Sequence, residues 1–384
     1  MNKVSILAFY LPQYHPIPEN DQWWGKGFTE WTSVAKAKPL FKGHDQPKIP
    51  GDLGFYDLRL PQVRKAQAEL AKRAGVSAFC YWHYWFGNGK QLLEQPFNEV
   101  LKLKEPDFPF CLAWANHDWL SKNWTTNGQV VYGRSKLLIK QEYGGVEDYT
   151  AHFYALKEAF LDNRYYKVEG RLLFMVYNYK EIPDFELFKK TWNTLATQEG
   201  LPGFFFVTHI LDPQIVLNEK AVLEVLEKGY DAVNLSLHHV PFIKRSSFLE
   251  RNIPFYEKQK KRFKSHFSIK PQVVEYAQAI KMMDSSLFEN ESVFPTIIPN
   301  WDHTPRSGRF GRVFQNCTPE LFGKHVIDVL KRIRHKKEER KIIFLKSWNE
   351  WGEGNYLEPD LKYRCAFIDK LREALENEKE NETT

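Results

Sequence analysis

The 384-residue chain lacks the features that define several protein classes. It has only four cysteines, widely spaced, and Cys80 and Cys111 lie in apolar segments, so we expect buried thiols rather than a disulfide framework or a zinc site. No stretch approaches the roughly 18 uncharged apolar residues of a membrane span. The first residues also show no signal-peptide pattern. These absences predict a cytoplasmic protein with no integral membrane segment.

A large excess of charge of one sign is missing as well. The 54 basic and 48 acidic residues are mostly interspersed, and the formal net charge is +6. Nucleic-acid-binding proteins usually carry a strong basic groove, so no nucleic-acid partner is expected. Neither Cys-x-x-Cys nor His-Glu-x-x-His occurs, and we expect neither a metal ion nor another cofactor.

Aromatic residues, in contrast, are abundant. They make up 15% of the chain and include 12 tryptophans, many of them beside Asn, His, Asp or Glu. A sugar ring offers an apolar face that stacks on tryptophan and a rim of hydroxyl groups that form hydrogen bonds. Nucleic-acid bases also stack on aromatics, but usually in a basic groove. The composition therefore favours a cleft for an oligosaccharide or polysaccharide.

Short apolar segments alternate with segments of helical period along the chain. Continuous apolar runs are typical of parallel strands covered on both faces. Alternation of this kind predicts a single (β/α)8 TIM barrel over residues 1–376, whereas a doubly wound sheet would carry a glycine-rich turn after its first strand. The predicted strands are 4–10, 76–81, 108–114, 171–177, 203–208, 231–235, 293–299 and 341–348. The predicted helices are 61–74, 149–161, 185–198, 215–228, 319–334 and 363–376.

Two connections, after predicted strands 1 and 6, are too long to be plain loops. Residues 12–60 are rich in tryptophan and are expected to form part of a substrate wall. Residues 238–291 contain a basic run at 258–264, which is typical of a solvated face but could also contact an anionic glycan, a diphosphate or a membrane surface. The tail, 377–384, is expected to fray.

Polar and aromatic residues follow every predicted strand. Catalytic groups of TIM barrels lie at the C-terminal ends of the strands, so repeated polar residues there predict a cleft. Each one alone could be a satisfied core histidine or a helix cap. The predicted substrate-binding residues are Tyr10, Gln13, His15, Trp24, Glu30, Trp31, Tyr81, Trp82, His83, Trp114, Asn116, Asp118, Tyr177, His209, Asn300, Trp301, Asp302, Trp348, Asn349 and Trp351.

The last predicted strand leads into two carboxylates three residues apart, Glu350 and Glu353, among tryptophans and glycines. Cleavage of a glycosidic bond needs one protonated and one ionised carboxyl group, and aromatic walls help to separate their pKa values. A lone Glu-x-x-Glu is usually a solvated turn, but this aromatic context favours a catalytic pair. The short spacing suits two neighbouring atoms of one sugar better than water-mediated inversion, which needs carboxyls about 6.5–9.5 Å apart.

Several of these motifs resemble those of the WbsX family, which is related to glycoside hydrolase family 99. They lie at residues 10–20, 23–31, 81–86, 300–302 and 348–354, and the resemblance extends over residues 4–370. Members are often encoded with surface polysaccharide genes, such as those for lipopolysaccharide O-antigen, and carry the label glycosyltransferase. The related hydrolases are retaining endo-acting α-mannosidases and mannanases on a (β/α)8 barrel.

The resemblance implies neighbouring-group participation. Glu350 would deprotonate the sugar 2-hydroxyl, which attacks the anomeric carbon to give a 1,2-anhydro sugar, and Glu353 would act as general acid and then base. The chain departs from the family pattern at two positions that bear on sugar specificity. His117 and Asp118 stand where related sequences often have Glu and Asn.

Three functions remain open at this stage. The favoured one is a retaining glycoside hydrolase or transglycosylase that acts on an internal bond. The second is a glycosyltransferase of surface polysaccharide biosynthesis, for which the chain lacks Asp-x-Asp and a complete Gly-x-Gly-x-x-Gly. The third is a glycan-binding barrel without activity, in which Glu350 and Glu353 would be costly to retain in an aromatic site.

Overall fold

Eight parallel strands form a closed barrel in the computed structural model, which describes residues 4–121, 136–243 and 270–383, with side chains as far as residue 378. The first strand pairs with both the second and the last, and this double pairing closes the ring. The strands are almost entirely buried because helices cover them outside and side chains fill the interior. They are β1 Ser5–Tyr10, β2 Ala78–Trp85, β3 Phe110–Trp114, β4 Arg171–Val176, β5 Phe204–Ile210, β6 Ala232–Leu235, β7 Val293–Ile297 and β8 Ile342–Leu345. The predicted (β/α)8 barrel is confirmed.

Helices form the outer layer, and their ends follow the chemistry of the sequence. Pro61 occupies the first turn of its helix, and Gly75 ends it at a φ of 83°, a conformation that glycine adopts without strain. Thr318 caps another helix by accepting a hydrogen bond from the Leu321 backbone. The outer helices are Pro61–Ala74, Gln95–Leu103, Gly145–Leu161, Phe185–Gln198, Pro213–Val216, Glu219–Leu226, Tyr276–Met282, Pro319–Ile333 and Ala366–Thr383.

Two helix predictions need correction. The segment 215–228 is two helices, because the Asn218 side chain accepts a hydrogen bond from the Ala221 backbone and starts a new helix there. The last helix extends from Ala366 to Thr383, past its predicted end at residue 376. Its extension is held by Arg334, whose guanidinium donates to the Glu378 carboxylate at 2.7 and 2.9 Å.

The barrel interior is packed with aromatic rings. Phe9 of β1 stacks on Trp82 of β2 at 4.8 Å and on Phe344 of β8 at 5.2 Å between ring centroids. Burying each such side chain stabilises the fold by about 1.5–3 kcal/mol. The interior is therefore a packed core, and the C-terminal ends of the strands are the part of such a barrel where enzymes carry their sites.

Long connections cover this end of the barrel, as expected after strands 1 and 6. The first contains the short helices Pro18–Trp24 and Glu30–Lys36. The second contains the strand Gln272–Glu275, which pairs in parallel with Arg312–Gln315. The basic run at 258–264 lies outside the described residues.

None of the helices within 4–121, 136–243 and 270–383 combines the length and the apolar character that crossing a membrane would require.

Candidate active site

Four charged side chains meet at the C-terminal end of the barrel, each from a different short element. Glu350 lies in the two-residue strand Asn349–Glu350 that follows β8, and Glu353 ends the single helical turn after it. Arg306 lies in the short helix Thr304–Ser307 after β7. Glu30 begins the helix Glu30–Lys36 in the connection after β1.

Arg306 contacts all three of these carboxylates. Its Nη1 lies 3.2 Å from Glu350 Oε1 and 2.5 Å from Glu353 Oε1. Its Nε and Nη2 lie 3.2 and 3.1 Å from Glu30 Oε2. Only 16% of the Arg306 side chain is exposed, so water and salt screen these charges weakly. The guanidinium thus fixes the three carboxylates in one cluster.

Two further basic groups and a hydroxyl complete the surroundings of the pair. Lys346 Nζ lies 3.8 Å from Glu350 Oε2, and Ser347 Oγ donates to the same oxygen at 3.1 Å. His303 Nε2 lies 3.5 Å from Glu353 Oε1. Each carboxylate of the pair is therefore held by a basic partner besides Arg306.

This arrangement shifts the pKa values of Glu353 and Glu30 in opposite directions. Burial alone would raise the pKa of Glu353, but Arg306, His303 and Lys346 hold it well below its usual value. Burial raises the pKa of Glu30, and the charge of Arg306 offsets this only in part. Glu353 is accordingly ionised at neutral pH, and Glu30 gains a proton more readily than an ordinary glutamate.

The connection after β1 holds the backbone of the turn that carries Glu350 and Glu353. The Asn349 side chain accepts from Leu11 N at 2.7 Å and donates to Leu11 O at 3.0 Å. The Tyr14 hydroxyl donates to Asn349 O at 2.5 Å and accepts from Trp351 N at 2.9 Å. The backbone on both sides of Glu350 is thereby fixed by hydrogen bonds that are buried.

The Trp351 side chain is held in place by a buried acid, Glu358. This carboxylate accepts hydrogen bonds from Gln67 Nε2 at 2.6 Å, Trp351 Nε1 at 2.7 Å and Tyr56 Oη at 2.8 Å. Burial raises the pKa of Glu358 to about 7, although the three hydrogen-bond donors favour the ionised form and so lower it in part. Glu358 is a positioning residue because it touches the neighbour of Glu350 rather than the cleft.

Gly352 leaves room for the charged cluster. A Cβ added at this position would overlap Glu30 Oε2 and would come within 3.0 Å of Arg306 Nε. No side chain can therefore replace the hydrogen at position 352 without displacing two members of the cluster.

Aromatic side chains lie beside the carboxylates. The Tyr177 ring stacks on His209 at 5.4 Å and contacts the Trp82 ring edge-on at 5.3 Å. Burial, and then the charges of Glu353 and Glu350, raise the pKa of Tyr177, which places its hydroxyl within electrostatic reach of the pair. These rings give the site the apolar surface that a sugar face requires.

Sequence and structural comparisons assign the family. The family model described as Glycosyltransferase WbsX matches residues 6–371. The chain belongs to the WbsX family. Two proteins of Xanthomonas campestris pv. campestris, both described as uncharacterized protein WxcX, are 33% identical to this WbsX chain over 378 residues. The match covers 97% of the chain but 49% of those proteins, so the chain spans about half their length.

The WbsX chain shares its fold with family 99 glycoside hydrolases. The endo-α-mannosidase of that family from Bacteroides thetaiotaomicron superposes with a TM-score of 0.55 and 13% identity over 100% of both chains. A protein described as glycoside hydrolase-like superposes with a TM-score of 0.57 and 13% identity, covering 98% of this chain and 94% of its own. The resemblance inferred from the motifs is confirmed for the family and for the fold.

Several predicted substrate-binding residues of this WbsX chain face the helices instead of the cleft. His83 Nε2 lies 2.9 Å from His152 Nε2 in the helix Gly145–Leu161, and the Tyr10 hydroxyl donates to Gln67 at 2.6 Å. Tyr81 packs against Tyr10, and Trp114 packs against His152. Successive side chains of a strand point to opposite faces, so the neighbour of an inward residue points outward. These four side chains therefore lie on the side of the barrel wall that faces the outer helices.

Other predicted polar residues are occupied by structural hydrogen bonds. Asp302 accepts from Gln46 Nε2 at 2.7 Å and from the backbone of Thr304, and it also pairs with His44 at 2.8 Å. Asn300 bonds to both backbone groups of Tyr356. In the same way, Asn116 bonds to the backbone of Asn178, and Asn349 to that of Leu11. These four hold loops that carry the site rather than reaching the cleft themselves.

The remaining predicted residues divide by burial. His15, Trp31, Trp348 and Trp351 are buried, and the Trp31 indole donates to Tyr56 O at 2.7 Å. Asp118 is exposed and accepts from Gln141 N at 2.7 Å. Trp24 is half-buried beside Phe28, and Gln13 donates to the Tyr84 hydroxyl at 3.0 Å. Several predicted residues lie beside Glu350 and Glu353 or their immediate neighbours: Gln13, Glu30, Trp82, Tyr177, His209 and Trp301.

Sequence reasoning missed Arg306, His303, Lys346 and Tyr84. Arg306 and His303 stand in the polar segment after predicted strand 7, and Lys346 interrupts the apolar run of predicted strand 8. A buried pair of carboxylates needs a cation nearby, and this requirement could have directed attention to the basic residues at the strand ends.

Proposed function

We propose that this WbsX family member is a retaining glycosidase or transglycosylase that acts on an internal bond of a polysaccharide or oligosaccharide. Glu350 is the proposed base for the sugar 2-hydroxyl, and Glu353 the proposed acid and then base. The reaction would pass through a 1,2-anhydro sugar, so that configuration at the anomeric carbon is retained after two inversions.

One observation carries this proposal. Glu350 Oε1 and Glu353 Oε1 both contact the same atom, Arg306 Nη1, at 3.2 and 2.5 Å. The two oxygens therefore lie closer together than the roughly 6.5 Å at which water-mediated inversion begins. Such spacing supports a mechanism in which both groups act on neighbouring atoms of one sugar.

The acid role requires a proton that Glu353 does not hold while it is paired with Arg306. A substrate that took over the Arg306 Nη1 contact would remove the main cause of the lowered pKa, so we propose that binding prepares Glu353 to act as the acid. Glu30 is the alternative acid, because its pKa is raised by burial.

Two variants separate these candidates. An acid matters most when the leaving group is poor, so loss of the true acid should slow glycan cleavage far more than cleavage of an activated aryl glycoside. We expect this selective loss, about 100-fold or more on the glycan, for Glu353→Gln. Glu30→Gln is the matched variant. The same selective loss in Glu30→Gln, and not in Glu353→Gln, would move the acid role to Glu30.

A glycosyltransferase is the second candidate, favoured by the description of the family model itself. The fold neighbour from Bacteroides thetaiotaomicron is described as an endo-α-mannosidase, which favours hydrolysis instead. Incubation with candidate glycans, and separately with nucleotide sugars, distinguishes the two by their products. We expect new reducing ends from internal cleavage of a glycan. Sugar transfer with release of a nucleotide, and no glycan cleavage, would replace the proposal.

A further inference from the structure

A group of basic side chains surrounds Trp301 beside Glu353. The Trp301 ring lies 4.5 Å from the His238 ring, 5.8 Å from the His239 ring and 6.0 Å from the His303 ring, measured between centroids. Lys346 Nζ lies 5.5 Å from the centroid of the same indole. Arg312 Nη1 lies 3.0 Å from His239 Nδ1. We name these residues the Trp301 basic cluster: Trp301, His238, His239, His303, Arg312 and Lys346.

The fold brings the cluster together from three neighbouring strands. The histidine pair follows β6, Trp301 and His303 follow β7, and Lys346 follows β8, and these strands are adjacent in the barrel. Arg312 is fixed beside them because its carbonyl accepts from His303 N at 3.0 Å. The cluster is therefore rigidly built at the mouth of the barrel.

Acidic side chains contact only part of the cluster. Among the described residues, its carboxylate contacts within ion-pair distance are Glu353 with His303 and Glu350 with Lys346, and Arg312 makes none. The guanidinium of Arg312 instead stacks over the Phe242 ring at 5.5 Å. Burial, together with the charges of Arg312 and Lys346, lowers the pKa of His239 to about 4. Among the described residues, Arg312 therefore supplies a positive charge to the cluster that no carboxylate contacts.

Two buried ring nitrogens next to this charge have no hydrogen-bond partner among the described residues. One is an indole N–H and the other is an imidazole nitrogen. They are Trp301 Nε1 and His209 Nε2, in side chains that are 4% and 5% exposed. A buried polar group that stays unpaired costs about 1–3 kcal/mol. Positive charge and an unpaired indole N–H together suit an oxygen-rich anion, which accepts from both.

We propose that the Trp301 basic cluster binds an anionic group of the substrate, a carboxylate or a phosphate, beside Glu353. This inference rests on the proposed function and adds the chemical class of the substrate. Two sources supply such a group: the carboxylate of an acidic sugar in a glycan, and the diphosphate of an activated sugar donor. In either case the anion lies next to the group proposed to act on the leaving oxygen.

Direct binding tests the proposal on the full chain without any turnover. Isothermal titration with pyrophosphate, D-glucuronate and D-glucose compares the two anions with a neutral sugar. We expect at least one anion to bind ten or more times more tightly than glucose. Tighter binding of pyrophosphate supports the diphosphate source, and tighter binding of glucuronate supports an acidic glycan. Equal or weaker binding of both anions relative to glucose would overturn the proposal.

Variants locate the site. Arg312→Gln should weaken binding of the tighter anion at least fivefold. Arg309→Gln is the matched control, since Arg309 is exposed only three residues away, and it should change binding less than twofold. An equal loss in both variants would indicate nonspecific attraction and contradict the assignment. Trp301→Phe keeps the ring and removes the N–H, so it provides a second, milder test if Arg312→Gln does not fold.

Failure of the two proposals can be distinguished. Anion binding is measured without cleavage, so a protein that cleaves a neutral glycan but binds neither anion overturns only the inference about the cluster. A protein that binds an anion through Arg312 but cleaves no glycan overturns only the proposed hydrolysis.

Discussion

Replacing Arg306 should destabilise the protein in a manner that depends strongly on pH. Arg306→Met keeps much of the side-chain length but leaves Glu30, Glu350 and Glu353 buried together without their shared cation. Removing one partner of a buried ion pair costs about 3–5 kcal/mol. Because one guanidinium serves three carboxylates here, we expect a loss near the upper end of that range at pH 7.5.

The sign of the pH dependence follows from the carboxylates. In the unmutated protein the pKa of Glu353 lies below its ordinary value of 4.5, so this group stabilises the fold above pH 4.5 and loses that effect as the pH falls through the lowered value. Without Arg306, burial dominates and raises the pKa of the carboxylates, so their ionisation destabilises the fold as the pH rises above 4.5. The difference in stability between the two proteins should therefore widen from pH 4.5 to pH 7.5.

Urea unfolding followed by tryptophan fluorescence measures this difference. We expect the free energy of unfolding to differ by about 3–5 kcal/mol at pH 7.5 and by less than about half of that at pH 4.5. Arg309→Met is the control, because it removes an exposed arginine from the same loop and should cost less than about 0.5 kcal/mol at either pH. An equal loss at both pH values, or no loss at pH 7.5, would contradict the role of Arg306 as the shared cation of the three carboxylates.

Three further predictions concern the surroundings of the site. Glu358→Gln turns an amide NH2 group toward hydrogen-bond donors and should lower the free energy of urea unfolding by about 1–3 kcal/mol. Because the pKa of Glu358 is raised to about 7, the unmutated protein should lose stability between pH 4.5 and 7, and the variant should lack this component. An unchanged pH profile of stability would contradict this. Gly352→Ala should reduce glycan cleavage at least tenfold with little change in circular dichroism, since its Cβ would displace Glu30; normal turnover would contradict the placement. The pKa of His83 is lowered to about 3 by burial, so stability should be lost as the pH falls below 6.5, and replacing both His83 and His152 by Phe should make this loss less steep.

The fold was predictable because eight strands of a barrel are buried on both faces. Each such strand leaves a continuous apolar run in the sequence, and the runs 171–177 and 203–208 nearly coincide with β4 and β5. The same continuous apolar pattern made the orientation of individual side chains impossible to predict. Trp82 faces the interior and His83 faces a helix, and a continuous apolar run does not indicate which of two neighbours points inward.

The proximity of Glu350 and Glu353 was predictable from local sequence, and the cation that they share was not. Glu350 and Glu353 are three residues apart in one aromatic turn, whereas Arg306 precedes Glu350 by 44 residues and follows Glu30 by 276. Contacts over such separations depend on how loops fold across the barrel mouth. The loop contacts of Asp302 and Asn116 were not predictable for a related reason, since a side chain that holds a loop and one that binds a sugar look alike in sequence.

In the proposed mechanism the sugar 2-hydroxyl, activated by Glu350, attacks the anomeric carbon. The most direct measurement compares the cleavage rate of a substrate with that of its 2-deoxy analogue in the unmutated protein. The account predicts that the 2-deoxy compound binds, as seen by competitive inhibition, but is not turned over, because it lacks the nucleophile. Cleavage of the 2-deoxy substrate at a normal rate would contradict the account.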